Sequence, residues 1–280
     1  MVQLDILLKK IYLMKKGLQY HLMLKKLFKF GNKKEDVIEV WSHIEGIPDV
    51  EPVKESSNFL PKWWTNTPAW QNDNVRESNF TDNINNKGTI RRCPAIPEYM
   101  SMGIVVPLWC DVRVEIFDDG SWKWNSPAQE FSFSSHGDSQ VGNFVPKHAK
   151  PTLIMKPNCP WRIKTPPGIS MLQLPMFWHF NPNFTVAPGV IWTDIHHEIN
   201  QQMMLHKKGV FNLQRGTPLA QYIPIRRETF EYNVGNETPE LRTHRNASYY
   251  HVRTKFGGGY PQHRKEEIKK GECPYHATNK

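Results

Sequence analysis

Apolar residues recur along this chain with two different periods. In the first 34 residues Leu4, Leu7, Leu8, Ile11, Met14, Leu18 and Leu22 follow one another mostly at three- and four-residue steps, with lysines between them. That spacing puts them on one face of a helix, so residues 1–34 are predicted to form a basic amphipathic helix, weakened at Gly17 and ending near Gly31. Further on the period falls to two. The run "GIVVPLWCDVRVEIFDDGSWKWN" carries apolar residues on both sides of Asp118-Asp119-Gly120-Ser121, whose Asp-Gly step predicts a hairpin. Further strands are expected at "EFSFSS", "TLIMK", "WRIKT", "SMLQLPMFW", "FTVA", "EINQQMML", "VFNLQ" and "LAQYIPI", parted by Pro, Gly and Asn. Many short strands at this spacing predict a mainly β fold, an antiparallel β-barrel or a sandwich such as a jelly-roll-like one.

Two stretches break the alternation. Residues 35–86 turn to Pro, Asn, Ser and Trp, and Trp63, Trp64 and Trp70 between prolines suggest an extended segment packed across a core, or else an aromatic binding platform. After about Phe230 the chain becomes polar and basic, with a short helix expected behind Thr238 and Pro239. The expected organisation is a basic helix over 1–34, a Pro/Trp-rich segment over 35–86, a β core over 87–232 and a basic C-terminal extension over 233–280.

Charge sharpens this division. The chain carries +9 overall, yet residues 1–34 hold +8 and residues 241–280 hold +6, leaving −5 on the stretch between them. A mildly acidic body with two basic ends does not read as a nucleic-acid-binding core; it reads as a body whose ends meet something acidic. Cys93, Cys110, Cys159 and Cys273 form no close pair, so reduced, buried thiols are expected rather than a zinc ribbon or disulfide framework. The lysine pairs leave no apolar run of membrane-spanning length in residues 1–34.

The segments "NFLPKWW", "RRCPAIPEYMSMGIVVPLWCDV", "SSHGDSQVGN", "CPWRIKTPPGISML", "PGVIWTD" and "RGTPLAQYIPIRRETF", in this order, resemble an uncharacterised family, a domain of unknown function of tailed bacteriophages and some bacteria. The resemblance runs from about residue 58 to 232 and implies a phage-type or bacterial setting, cytoplasmic or virion-associated, without an established activity. Within it, "PGVIWTDIHHEI" followed by "FNLQRGTPLAQYIPI", about residues 188–225, is similar to the last third of the dUTPase and dCTP deaminase β-clip fold. That likeness implies sharp turns at Gly189 and Gly216 and close packing at Ala220. The departures fall on the chemistry: Trp192 stands where the water-activating aspartate is expected, Ile195 where the tyrosine against the sugar is expected, and "LPMFWHFNPN" replaces the serine-containing phosphate motif. An indole cannot act as a general base, so the implied dUTPase-like reading is of a nucleotide-binding protein with a degenerate catalytic site.

Candidate chemistry concentrates in two places. In "DIHHEI", Asp194, His197 and Glu198 are candidate catalytic residues. His136, Asp138, His196 and His197 are candidate metal ligands, because a His-x-Asp step followed by a distant His suits a two-histidine, one-carboxylate iron site with 2-oxoglutarate as cosubstrate. The alternative for His196 and His197 is a strand pair with one ring at the surface and one buried. No Walker loop, GxSxG, HExxH or Rossmann fingerprint is present. Candidate binding residues are Lys9, Lys10, Lys15, Lys16, Lys25 and Lys26 in the helix, with Arg253 and Phe256 in "RTKFGGGY". The expected function is that of an accessory or structural protein acting by binding. Its expected partner is an acidic protein surface or nucleic acid, with an anionic membrane surface as a third partner for residues 1–34 and a homo-oligomer left open.

Overall fold

The computed structural model of the chain describes residues 37–70, 88–137, 139–141 and 143–253, together with Gln262 and Lys265. The expected helix over 1–34 lies outside the described residues, as do Asp138 and Phe256. The chain divides into two compact units, Met1–Val37 and Ile38–Lys280, and every described sheet belongs to the second. Among the described residues no helix is long and apolar enough to cross a membrane.

Fourteen strands are described: β1 (Glu39–Ser42), β2 (Lys54–Glu55), β3 (Ile104–Pro107), β4 (Val112–Ile116), β5 (Trp122–Asn125), β6 (Phe133–His136), β7 (Leu153–Pro157), β8 (Trp161–Lys164), β9 (Ile169–Pro175), β10 (Phe184–Val186), β11 (Gly189–Ile191), β12 (Met203–Leu205), β13 (Gly209–Leu213) and β14 (Pro218–Arg226). Four short helices accompany them: α1 (Ile47–Val50), α2 (Lys62–Asn66), α3 (Ala95–Ser101) and α4 (Pro239–Arg253). The strands form four sheets, in the orders β11-β9-β14-β3-β2, β10-β12-β7-β6, β13-β4-β5 and β1-β8, with antiparallel pairing throughout. Each sheet ends in edge strands, so no barrel closes among the described residues, and the arrangement is a sandwich-like stack around a shared core.

That core follows from the alternation. In β4 Val112, Val114 and Ile116 point inward while Arg113 is exposed, and the Asp-Gly step makes the expected hairpin to β5, with Gly120 at φ +85° and Asp119 accepting from the Ser121 N–H at 2.9 Å. The inward rows meet Met155, Ile163, Met171, Phe184, Leu205 and Phe211 in one hydrophobic cluster. Strand β14 lies centrally and is buried on both faces from Leu219 to Ile223, which explains its near-continuous apolar run. Its two polar members are satisfied: the Tyr222 hydroxyl donates to Gln173 Oε1 at 2.7 Å, and Gln221 Nε2 donates to the Tyr99 and Met102 carbonyls. Ala220 is fully buried and Gly216 turns at φ +82°, whereas Gly189 simply opens β11 without a positive φ.

Four local expectations are corrected. Trp63 and Trp64 lie on α2, not on extended chain, because the Pro61 carbonyl accepts from the Trp64 and Thr65 N–H groups and starts a helical turn. Only Met203–Leu205 of "EINQQMML" is a strand. His196 and His197 follow a turn, closed by the Ile195 and His196 N–H groups on the Trp192 carbonyl, instead of alternating along a strand. Cys93 is exposed, not buried.

Candidate functional site

Asp194 sits in that turn, and both its oxygens are committed. Arg227, just beyond β14, grips it with two nitrogens, one at 2.8 Å and the other shorter still, while the Gly168 N–H donates to Oδ2 at 3.0 Å. The same guanidinium donates to the Ser170 hydroxyl at 2.8 Å and lies 4.4 Å above the Trp192 ring, so the indole covers its outer face. The Arg227 hydrogen bonds hold the Asp194 carboxyl down at a pKa of about 2. A carboxylate so held is a clamp between the β11 turn, the start of β9 and the end of β14, and a poor proton acceptor near neutrality.

The other candidates in this stretch are likewise engaged. His197 donates from Nδ1 to the Thr193 carbonyl at 2.9 Å and stands edge-on to Trp41, with ring centroids 5.7 Å apart. Glu198 pairs with Arg162 at 3.0 Å, on the neighbouring strand β8. Thus His197 and Glu198 are brought beside β8, whereas His136 ends β6 in a different sheet, with Nδ1 on Gln140 Oε1 at 3.1 Å. Among the described residues no three His, Cys, Asp or Glu side chains converge into a metal-holding group. Lys9, Lys10, Lys15, Lys16, Lys25 and Lys26 lie outside the described residues, and Arg253 is the last residue of α4.

An aromatic cluster stands where the "LPMFWHFNPN" loop leaves β9. A single 3-10 turn, Phe177–His179, ends at Phe180, which adopts the left-handed conformation at φ 48° and ψ 44°. That conformation costs a non-glycine residue ~1 kcal/mol, and packing offsets it: the Phe180 ring lies 5.5 Å from Trp63 and 5.9 Å from Trp178. The loop is tied to the α2 region twice, by the Trp63 indole N–H on the Trp178 carbonyl at 2.7 Å and by His179 Nε2 on the Phe59 carbonyl at 2.7 Å. Burial lowers the His179 pKa, which keeps this ring neutral at neutral pH. Phe177 and Phe180 stay exposed on top of this support. At the end of α2, Arg91 donates to the carbonyls of Trp64, Thr65 and Thr67, and Arg92 stacks over Trp70 at 3.8 Å. The cluster is therefore two exposed rings resting on two supporting indoles. Sequence reasoning offered Trp63, Trp64 and Trp70 as an extended packing segment or an aromatic platform, and missed Phe177 and Phe180. The signal was three aromatic residues, Phe177, Trp178 and Phe180, crowded between a strand and the turn residues Asn181 and Pro182.

A cleft of about 970 Å³ covers the outer face of β13-β4-β5, but its charges are spent on one another. Lys123 and Arg113 pair with Glu115 at 3.2 and 3.8 Å, the Arg215 guanidinium pairs with Glu51 at 3.7 Å, and Asp111 accepts from the Arg215 main-chain N–H at 2.7 Å.

Set against known proteins, the chain matches no family model and no curated protein. A solved structure of the EIAV dUTPase in its native form aligns at 12% identity over 44% of this chain and 91% of that one, with a TM-score of 0.24.

Proposed function

We propose that this is an accessory protein that binds single-stranded nucleic acid, stacking bases on the rings of the loop after β9 and holding phosphates with its lysine-rich ends. The observation that carries this reading is the pair of exposed rings, Phe177 and Phe180, held in a strained loop over Trp63 and Trp178. Flat, rigid, exposed aromatics accept any base, and clustered lysines add sequence-independent attraction. The +8 of residues 1–34 and the +6 of residues 241–280 supply that charge, while the stretch between them is acidic. The resemblance of residues 58–232 to the uncharacterised phage and bacterial family supports a setting in an infected bacterial cell, in the cytoplasm or in the virion.

The test is fluorescence anisotropy with single-stranded DNA and RNA oligonucleotides across a salt series. Replacing Phe177 and Phe180 together by serine is expected to weaken binding about tenfold or more with the salt slope unchanged. Lys25→Glu with Lys26→Glu is expected to flatten the slope instead. Absence of binding at low salt retires the proposal, and binding to acidic peptides or anionic vesicles in its place moves the partner to that class.

A further inference from the structure

After the clamp at Arg227 the chain reads Glu-Thr-Phe-Glu-Tyr-Asn-Val-Gly, with Phe230, Tyr232 and Val234 alternating with Glu231 and Asn233. This is the period of a strand with one apolar face. Yet Phe230, Tyr232 and Val234 are 68%, 86% and 92% exposed. Between the Arg227 N–H, bonded to the Gly168 carbonyl, and the Arg242 N–H, bonded to Thr238, residues 228–236 make no main-chain hydrogen bond with any described residue. A sequence built to be a strand thus has neither a ladder nor a covering.

A matching vacancy lies on the same sheet. β11 is an edge strand, paired on one side to β9 and, among the described residues, to no strand on the other. Beside it Val190, Trp192 and Ile195 are 52%, 54% and 70% exposed. An open edge flanked by apolar side chains is what an incoming strand needs for both hydrogen bonds and burial.

We infer that residues 229–235 of one copy add to the β11 edge of a second copy, in a reciprocal exchange that makes the chain a dimer. Thr229 and Phe230 cannot reach the edge of their own copy, so the segment as a whole cannot pair there. A position outside β11 lies three strand spacings from β14, ~14 Å, whereas three residues beyond the pinned Arg227 reach ~11 Å at most. Area points to reciprocity as well. Six apolar side chains and their backbone bury roughly 600 Å² per arm, and two arms together reach about 1,200 Å², where specific interfaces begin.

The experiment is sedimentation velocity on the full chain over about a hundredfold range of concentration. It is run beside an arm variant (Phe230→Ser with Tyr232→Ser) and a seat variant (Val190→Glu with Ile195→Glu). All four side chains are exposed in the single chain, so far-UV circular dichroism is expected to be unchanged in both variants. The expected result is a dimer for the native chain and a monomer for each variant. A native chain that stays monomeric overturns the inference, including the case in which residues 229–235 resist proteolysis by folding back on their own copy. So does a dimer that survives either pair of substitutions. Neither variant touches Phe177, Phe180 or a lysine, so oligonucleotide binding reports on the function separately.

Discussion

At the scale of single residues, the decisive contact is the one that removes Asp194 from the list of available bases. A carboxylate whose pKa is held at about 2 is stabilised in the folded chain relative to an unfolded one titrating near 4. The clamp therefore contributes stability that is present above about pH 4 and fades as the pH falls towards 2. Asp194→Asn keeps a hydrogen-bond acceptor but loses the charge. We expect it to melt below the native chain at pH 7, with the difference shrinking between about pH 4 and pH 2 in thermal unfolding curves. A difference that persists unchanged at the acid end contradicts the clamp. Asp194 was visible in the sequence as a candidate catalytic carboxylate in "DIHHEI". Arg227 was not, because nothing in "RRETF" marks one arginine as the partner of a residue 33 positions earlier.

At the scale of elements, the five-stranded sheet is tuned by a contact that no pattern shows. Gly103 enters β3 at φ +67°, and a Cβ built there would lie 2.0 Å from the Tyr222 carbonyl oxygen in the middle of β14. Both the conformation and the space demand glycine. Gly103→Ala is expected to cost ~3 kcal/mol or more, read as a fall in the urea midpoint with little change in slope. The strands themselves were legible wherever one face meets the core and the other meets water, as in β4 and β5. They were less legible where tertiary contacts override the pattern: "EINQQMML" keeps only its last three residues as strand because Glu198 pairs with Arg162 and Gln201 turns in to the Val106 carbonyl at 3.3 Å. α2 escaped notice because a five-residue helix has no period to display, only a proline and two indoles.

At the scale of the whole molecule, one core joins sheets that are far apart in sequence, so its thiols report on the opening of the body as a unit. Burial raises the Cys110 thiol to about 11 and the Cys159 thiol to about 12, leaving almost no thiolate at pH 8. Cys93 stands exposed on the segment before α3. Alkylation of the native protein followed by peptide mass spectrometry is expected to mark Cys93 quickly. Cys110, buried in the core, should be marked only in step with global unfolding, with the half-buried Cys159 reacting at a rate between the two. Fast native labelling of Cys110 would contradict its burial.

The sequence by itself determined the mainly β class, the Asp118–Ser121 hairpin, the helix behind Thr238 and the acidic body between basic ends, because each of these is set by the local period, by turn chemistry or by simple charge. Only the tertiary structure decided that the sheets stay open, that Asp194 is consumed by Arg227, that Phe177 and Phe180 face outward on a supported loop, and that the Phe230–Val234 strand pattern finds no partner within its own described chain. The physical reason is common to all four: each depends on which distant groups share a neighbourhood, and neither side-chain period nor composition carries that information.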